Sequence, residues 1–264
     1  MDDALTKTMD GLTIRPRFPH PRAFDIAGRT VWAKDVVEIL RPFINADRRQ
    51  KIERVISQRT YNLATVCEHI YDMGNVFAVM RSAESLGAAP LHVIPPEEQN
   101  TATNRISMGA QKWLDIVNWQ DSIQCVQHLK AAGYQVVATH LDDTAVPLSE
   151  IDFTFPTALV FGNEHDGVSP QMLEHCDARC IIPMSGFAQS FNISVAAALA
   201  LYHARTQREQ RLGKHGDLTP DEMLRLRASY YIRALKTPER LILAHAQRHG
   251  LDEVSSSLDF DQMP

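Results

Sequence analysis

Three polar segments of this chain carry residue types that could bind an anion or a nucleotide. They are residues 72–83 with Asn75 and Arg81, residues 159–169 with Gly162 and Glu164, and residues 181–199 with Ser190 and Asn192. A guanidinium grips phosphate through two parallel hydrogen bonds, while amides, hydroxyls and carboxylates bind sugars and bases. Each segment lies at the end of a predicted strand, which is where open α/β sheets bind ligands. We therefore interpret the three segments as ligand loops.

Arg81 is the strongest candidate for binding an anion. It lies on a predicted helix beside apolar residues such as Val79 and Met80, where a guanidinium is costly unless a negative charge compensates it. The preceding turn predicts Asn75 as the helix N-cap, which places Arg81 roughly two turns into the helix. The alternative is a structural arginine that pairs with Glu84.

The other two segments argue against two common enzyme classes. Gly162 ends a strand, and its missing side chain would let a ligand approach the backbone. The spacing of Gly162 and Gly167 lacks the Lys-Ser/Thr pair of a nucleotide triphosphatase. Ser190 has no Gly-x-Ser-x-Gly elbow, so its predicted role is a hydroxyl beside Asn192 rather than a nucleophile. Glu164 could bind an exocyclic amine or hold a neighbouring loop.

The elements that position these residues alternate between strands and helices. The predicted strands are 64–68, 91–94, 114–117, 134–139, 158–161 and 181–182, and the predicted helices are 76–86, 123–132, 170–175 and one from about 192. This alternation predicts a mostly parallel sheet with helices on both faces. The last helix is rich in alanine, which suits core packing or a self-association face. No Gly-x-Gly-x-x-Gly opens a βαβ unit, which disfavours a dehydrogenase.

The ends of the chain differ from its centre. The first thirty residues, rich in Pro and Arg, predict an extended arm, and helices are predicted around Pro42. Two Arg-rich helices are predicted at about 220–235 and 238–248. Residues 13–59 carry a net charge of +6, residues 203–250 carry +5, and residues 60–202 carry −10. Basic arms around an acidic centre are typical of proteins that bind polyanions, although solvated helix faces give the same pattern.

Composition favours a cytoplasmic protein. The chain has 264 residues, of which 44% are hydrophobic and 22% charged, as in ordinary globular proteins. The longest apolar run is too short to cross a bilayer, and the acidic start shows no secretory signal. The four cysteines predict reduced thiols. His175, Cys176 and Cys180 lack the spacing of a zinc knuckle, so we expect no bound metal. The short apolar run likewise leads us to expect no membrane partner.

Taken together, the three segments resemble the signature motifs of the SpoU class of RNA ribose 2′-O-methyltransferases. The motifs are Asn-x5-Arg at 75–81, Phe-Gly-x-Glu-x-x-Gly-Val at 161–168, and Ile-Pro-Met-x-Gly-x3-Ser-Phe-Asn-x-Ser-Val-Ala at 182–196, where the family has Leu in place of Phe191. The resemblance covers about residues 50–212 and is strongest to the TrmH group, which methylates guanosine-18 of tRNA. Ribosomal RNA methyltransferases and a non-catalytic knotted RNA-binding relative are the alternatives.

The resemblance implies a Rossmann-like α/β fold with a deep trefoil knot at its carboxyl end, the SPOUT fold, and a homodimer formed through the knot helices. S-adenosylmethionine would lie against Thr139, Leu141, Gly162, Ile182, Met184 and Phe191. The catalytic set would be Arg81, Asn75, Glu164, Ser190 and Asn192. RNA phosphates would be bound by Arg48, Arg49, Lys112, Arg208 and Arg211. Three regions are expected: a basic RNA-binding arm at 1–59, the methyltransferase domain at 60–212, and a basic helical extension with an acidic tail at 213–264.

Overall fold

The computed structural model describes residues 8–9, 12–13, 17–96 and 109–249. The predicted acidic tail and part of the N-terminal arm lie outside these ranges. The strands are β1 (Thr8–Met9), β2 (Leu12–Thr13), β3 (Ala23–Ile26), β4 (Arg29–Trp32), β5 (Leu63–Glu68), β6 (Pro90–Ile94), β7 (Asp115–Asn118), β8 (Gln135–Thr139), β9 (Val146–Pro147), β10 (Thr157–Phe161) and β11 (Ala178–Ile181). The helices are α1 (Ala33–Leu40), α2 (Ala46–Ile56), α3 (Met73–Leu86), α4 (Ser122–Ala131), α5 (Pro170–His175), α6 (Ile193–Leu212), α7 (Pro220–Ala234) and α8 (Pro238–His249).

A seven-stranded sheet in the order β7-β6-β5-β10-β8-β11-β9 forms the centre of one compact unit, which includes Gln58–Asp217. All the neighbouring strands of this sheet are parallel. The predicted α/β architecture is therefore confirmed. Short 3-10 turns at Gly109–Trp113 and Leu148–Glu150 precede β7 and β10 respectively.

Both faces of the sheet are covered because its strands alternate their apolar side chains between two cores. Leu63, Cys67 and Phe161 lie in the core that includes residues of α3 and α6. Ala64 and Val160 lie in the core that includes residues of α4 and α5. Parallel sheets need both faces covered, since each strand is buried on both sides. The sheet is thus a rigid base for the loops at its edge.

A second compact unit contains residues 19–57 and the chain from Leu218 onward. Its helices agree with the sequence prediction, but the expected extended arm is wrong for residues 23–32, which form the β3–β4 hairpin. Ala27 and Gly28 at its turn have positive φ, the conformation that a two-residue hairpin turn requires. Thr219 and Glu222 form a reciprocal capping box that starts α7.

Much of the positive charge in this second unit is used within the unit. Arg225 is buried and donates to the carbonyl of His20 at 2.8 Å. Arg227 forms a two-pronged ion pair with Glu53, both contacts at 2.6 Å. The net charge of the basic segments therefore overstates the charge that remains for a polyanion. No helix among the described residues is long and apolar enough to cross a membrane.

Candidate functional site

The three motif loops start from the same edge of the sheet. Because β5, β10, β8 and β11 are parallel, the loops that follow them all leave from their carboxyl ends. The register pairs Cys67 with Phe161, so the loops after β5 and β10 begin side by side. The predicted position of the ligand loops is thus seen in the structure.

Asn75 links all three loops. Its side-chain amide donates to Glu164 Oε1 at 2.7 Å, and its side-chain carbonyl accepts from Asn192 Nδ2 at 3.3 Å. Asn192 in turn caps α6, since its side-chain oxygen accepts from the backbone N–H of Ser194 at 2.9 Å. The chain of contacts from Glu164 through Asn75 to Asn192 joins residues separated by up to 117 positions.

The predicted N-cap role of Asn75 is wrong. Asp72 caps α3 instead, because its side chain accepts from the N–H of Gly74 at 2.7 Å. Asn75 then lies in the first turn of the helix, and its side chain does not cap the helix. Its side-chain amide donates to Glu164 instead.

Glu164 also fixes the loop after β5. Its Oε2 accepts from the backbone N–H of Tyr71 at 3.2 Å. Partial burial by itself raises the pKa of Glu164, but hydrogen bonds from Asn75 and from backbone N–H groups outweigh it and leave the pKa below its usual value. Glu164 is therefore a carboxylate at neutral pH and acts as an acceptor here.

Gly162 permits a close approach, but the approaching group is the protein itself. A Cβ at this position would lie 2.0 to 2.2 Å from backbone atoms of Gly167 and Val168. The loop closes on itself, as the N–H of Asn163 donates to the carbonyl of Gly167 at 2.9 Å. The missing side chain therefore lets the loop that carries Glu164 fold tightly, and contact between Gly162 and a ligand stays a prediction.

The segment between β8 and β9 straddles β11. Cys180 pairs with Thr139 on one side and with Val146 on the other, so residues 140–145 must cross over β11. The N–H of His140 donates to the carbonyl of Cys180 at 3.1 Å. Asp142 forms an ion pair with Arg179 of β11, and hydrogen bonds from Thr144 and Arg179 lower its pKa to about 2. β11 is therefore enclosed by the preceding loop.

The residues predicted to bind the cofactor lie on the loops that follow β8, β10 and β11. The hydroxyl of Thr139 donates to the carbonyl of Val160 at 2.9 Å and so ties β8 to β10. Leu141 and Phe191 are exposed, whereas Ile182 and Met184 are half-buried. Gly162 is buried. Exposed apolar side chains beside polar loops suit a ligand with an apolar base and a charged end.

Arg81 lies on the exposed surface of α3, which differs from the expected apolar setting. Among residues 17–96 and 109–249 it makes no hydrogen bond or ion pair. The alternative partner, Glu84, is occupied by Arg59, whose Nη2 lies 2.7 Å from its carboxylate. Ser190 is also exposed, and within the described residues its hydroxyl makes no hydrogen bond. The hydroxyl that contacts Asn192 belongs to Ser194 instead.

The five residues predicted to bind RNA have different surroundings. Arg208 is 1% exposed and donates to the carbonyl of Phe153 and to Asp217, each at 3.0 Å. A phosphate cannot reach it, because Arg208 lies on the buried side of α6, and the prediction is corrected on this ground. Arg211, one turn later, is exposed beside Asp152 at 3.2 Å.

The other three predicted RNA contacts are more accessible. Lys112 is exposed and lies over the ring of Trp113. Arg48 is exposed at the start of α2, and the half-buried Arg49 donates from one nitrogen to the carbonyls of Arg41 and Ile44. Arg49 thus has a structural role in its own unit.

Sequence reasoning missed two residues that support the site. Glu68 is completely buried at the end of β5, where it accepts from the hydroxyl of Ser122 and from both the hydroxyl and the N–H of Ser169. A carboxylate directly after a run of buried residues was the signal that could have identified it. Tyr71, missed as well, had no signal beyond its place in a polar loop.

Comparison with known proteins agrees with this geometry. The model of the SpoU rRNA methylase family matches residues 62–202. A tRNA (guanosine(18)-2′-O)-methyltransferase of Escherichia coli is 35% identical over 166 residues, which are 63% of this chain and 72% of that protein. A 23S rRNA (guanosine-2′-O-)-methyltransferase of Acinetobacter baylyi is 30% identical over 177 residues, or 66% and 71% of the two chains.

A solved structure is similar as well. The crystal structure of an Aquifex aeolicus TrmH/SpoU tRNA-modifying enzyme gives a TM-score of 0.65 at 31% identity. The match covers 72% of this chain and 98% of that one. The similarity therefore extends over nearly the whole of the smaller protein.

Proposed function

Since the chain belongs to the SpoU rRNA methylase family of S-adenosylmethionine-dependent RNA 2′-O-methyltransferases, we propose that it methylates the ribose of guanosine-18 in tRNA. Relatives that bear this name are 32–36% identical to it, and the similar Aquifex aeolicus structure is that of a tRNA-modifying enzyme. Methylation of ribosomal RNA is the second candidate, because a relative that acts on 23S rRNA is 30% identical.

The contact chain Glu164–Asn75–Asn192 carries this proposal. It brings the three motifs to one place at the carboxyl edge of the sheet, as a site built from all three requires. Glu164 and Asn192 hold the loops through Asn75, and their remaining lone pairs and N–H groups are available to a ribose. Ser190, exposed in the third loop, supplies a further hydroxyl to the substrate.

Arg81 supplies the positive charge of the site. A guanidinium keeps its proton under ordinary conditions, so we assign Arg81 to binding an RNA phosphate and to stabilising the oxygen that develops negative charge. Its exposure and its lack of a partner among the described residues suit this role, since no internal ion pair must first be broken. The alternative role for Arg81, as the base, would require it to release a proton that a guanidinium ordinarily keeps.

The loops after β8, β10 and β11 suit S-adenosylmethionine. This cofactor supplies the methyl group of the reaction when it is bound. Leu141, Ile182, Met184 and Phe191 offer apolar contact for its base, and the loop that begins at Thr139 closes over the neighbouring strand. Gly162 contributes indirectly by keeping the Glu164 loop compact.

We also propose that the chain is knotted and pairs with a second copy through α6. The knot is supported by two observations. Residues 140–145 cross over β11, and the chain continues from β11 into α6. Val195, Leu199 and Tyr202 are exposed at spacings of four and three residues, which places them on one face of the helix.

Leu199→Glu should therefore give a monomer in light scattering. Ile123→Glu, at an exposed position of α4, should leave the dimer intact, and a wild-type monomer would contradict the proposal.

Arg48, Arg49, Lys112 and Arg211 remain the proposed contacts to RNA phosphates, and the division into an RNA-binding arm, a methyltransferase domain and a C-terminal extension remains a proposal about function. Binding through phosphates should weaken steeply as salt increases. A cytoplasmic location follows from the proposed substrate, and the free cysteines are consistent with it.

Methyl transfer to defined RNAs tests the proposed function. Purified protein and tritiated S-adenosylmethionine are incubated with an unmodified tRNA transcript and, separately, with a 23S rRNA transcript, and the labelled nucleotide is then mapped. We expect label at guanosine-18 of the tRNA and a loss of at least about a hundredfold in rate for Arg81→Ala. Label only in the rRNA would establish the second candidate, and label in neither would contradict both.

A further inference from the structure

Tyr71 and His165 form an aromatic pair at the mouth of the site. Their ring centroids are 6.1 Å apart and the rings are inclined by 48°. Both residues are exposed, and 44% of Tyr71 is accessible to solvent. Tyr71 follows β5, whereas His165 follows β10, so the pair is formed by two of the motif loops.

The pair is held next to the proposed catalytic residues. The backbone N–H of Tyr71 donates to Glu164, the residue that precedes His165 and binds Asn75. The N–H of His165 donates to the side chain of Asn163 at 2.8 Å, which fixes its backbone as well. The backbones of both residues are therefore anchored, and both residues are exposed to solvent.

The turn that presents Tyr71 has an unusual backbone. His69, two residues earlier, has a φ of +52°, a left-handed conformation that non-glycine residues seldom adopt. Its N–H donates to the carbonyl of Ile94 at 2.8 Å, and Glu68 before it is held by three hydrogen bonds. Strained backbone persists where the surrounding structure enforces it and is concentrated at functional sites. Tyr71 follows this turn and is exposed at the surface.

Internal packing does not explain the exposed ring. Within the described residues the hydroxyl of Tyr71 makes no hydrogen bond, and the one ring near it is that of His165. A single-stranded RNA base has an open π face, and proteins that bind RNA loops stack such bases on aromatic side chains. An exposed pair of rings beside a site that acts on ribose thus has the chemistry of a base platform.

We propose that Tyr71 and His165 form a stacking platform for the base of the methylated nucleotide or of its neighbour in the RNA. The inference rests on the proposed function, because it requires that the site receives RNA. Stacking on Tyr71 would hold the nucleotide while its ribose faces Asn75 and Arg81. The platform would act on RNA binding and leave the binding of S-adenosylmethionine unchanged.

Substitutions at Tyr71 separate the effect of base stacking on the KM for RNA from the effect of side-chain volume. Tyr71→Phe keeps the ring and should retain the wild-type KM for RNA within about twofold. Tyr71→Leu keeps apolar volume without a π face and should raise that KM by about five- to a hundredfold, the range typical for the loss of one stacked base. His165→Ala should raise it as well. All variants should bind S-adenosylmethionine with wild-type affinity and unfold at the wild-type temperature.

Phe155 provides the matched control. It is 61% exposed and lies before the start of β10, at the amino edge of the same sheet. Phe155→Leu removes an exposed ring at the opposite edge of the sheet from the motif loops and should leave the KM for RNA unchanged. An equal effect of Phe155→Leu and Tyr71→Leu would show that exposed rings bind RNA without a specific platform, and would overturn the inference.

The series is measured on whichever of the tRNA and 23S rRNA transcripts the wild-type protein methylates, so an incorrect choice of RNA does not affect it. If the wild type is active and the KM of Tyr71→Leu for RNA lies within twofold of the wild-type value, the inference of a stacking platform is wrong and the proposed function stands. If the wild type methylates neither RNA, the proposed function fails and the platform fails with it.

Discussion

The side-chain amide of Asn75 lies 2.7 Å from the carboxylate of Glu164, although the two residues are 89 positions apart. This contact connects the loop after β5 with the loop after β10, and Asn192 extends it to the start of α6. Because this hydrogen bond is exposed, its free-energy contribution to folding is small. Its main effect is therefore on the geometry of the loops.

Removing this contact should impair methyl transfer more than stability. Asn75→Ala and Glu164→Ala are each expected to lower kcat by about a hundredfold, as misplaced catalytic groups do. The free energy of unfolding should change by less than about 1 kcal/mol. Since the two residues act as one link, the double variant should be little worse than either single variant. Effects on kcat that multiply in the double variant would show that the residues act independently.

Gly162→Ala should disrupt the loop that carries Glu164. Its new Cβ would lie 2.0 Å from the carbonyl carbon of Gly167, which the backbone can relieve only by opening the loop. We expect a loss of about 1–3 kcal/mol in the free energy of unfolding, measured by urea denaturation, and a loss of methyl transfer.

Gly186→Ala is the control for this substitution. No atom lies within 4 Å of the Cβ that it would introduce, although Gly186 belongs to the third motif loop. It should leave the midpoint of urea denaturation unchanged. Equal destabilisation by the two substitutions would refute the steric account of Gly162.

Alanine substitutions at Arg208 and Arg211 should have different effects, the first on the stability of the fold and the second on RNA binding. Arg208→Ala removes a buried guanidinium that holds Asp217 and the carbonyl of Phe153, and should cost about 3–5 kcal/mol in the free energy of unfolding. Arg211→Ala should leave that free energy within about 0.5 kcal/mol of wild type and weaken RNA binding instead. Thermal unfolding and filter binding of tRNA measure the two quantities. Normal stability of Arg208→Ala would contradict its structural assignment.

Buried His92 should make stability depend on pH. Its Nδ1 accepts from the indole N–H of Trp119 at 2.9 Å, which requires a neutral ring. Burial, and to a smaller extent His128, lowers the pKa of His92 to about 3, whereas in the unfolded chain the ring protonates near its usual 6.5. Stability from this group is therefore fully present above pH 6.5 and decreases as the pH falls. Between pH 7.5 and pH 5 the loss should be about 2 kcal/mol.

The urea midpoint at these two pH values tests the role of His92. His92→Asn keeps an acceptor for Trp119 without a titrating ring, so its loss of stability on acidification should be smaller than that of the wild type. His175→Gln, at the end of α5, should keep the wild-type loss. An unchanged pH dependence in His92→Asn would mean that other groups cause it.

The sequence predicted the sheet because its strands and helices alternate with distinct periodicities. The motifs likewise predicted which loops meet, since parallel strands end at the same edge. The sequence could not show that Asp72 rather than Asn75 caps α3, because both residue types favour the N-cap position. Arg208 and Arg211 show the same limit: they are three residues apart on one helix, and only the packing of α6 decides that the first is buried.

The role of Gly162 could not be predicted for a related reason. A glycine at a strand end admits either a ligand or another part of the backbone, and the choice depends on how residues 163–167 fold. The turn before Tyr71 contains His69 at a positive φ, a conformation that few non-glycine residues adopt. These features come from long-range contacts, which local sequence patterns do not encode.

The proposed chemistry predicts that one hydroxyl of one nucleotide accepts the methyl group. A tRNA transcript is therefore compared with the same transcript carrying 2′-deoxyguanosine at position 18, with tritiated S-adenosylmethionine as the donor. We expect stoichiometric label in the first RNA and none above background in the second, although both RNAs should bind. Equal label in the two transcripts would show that the methyl group goes elsewhere and would contradict the account.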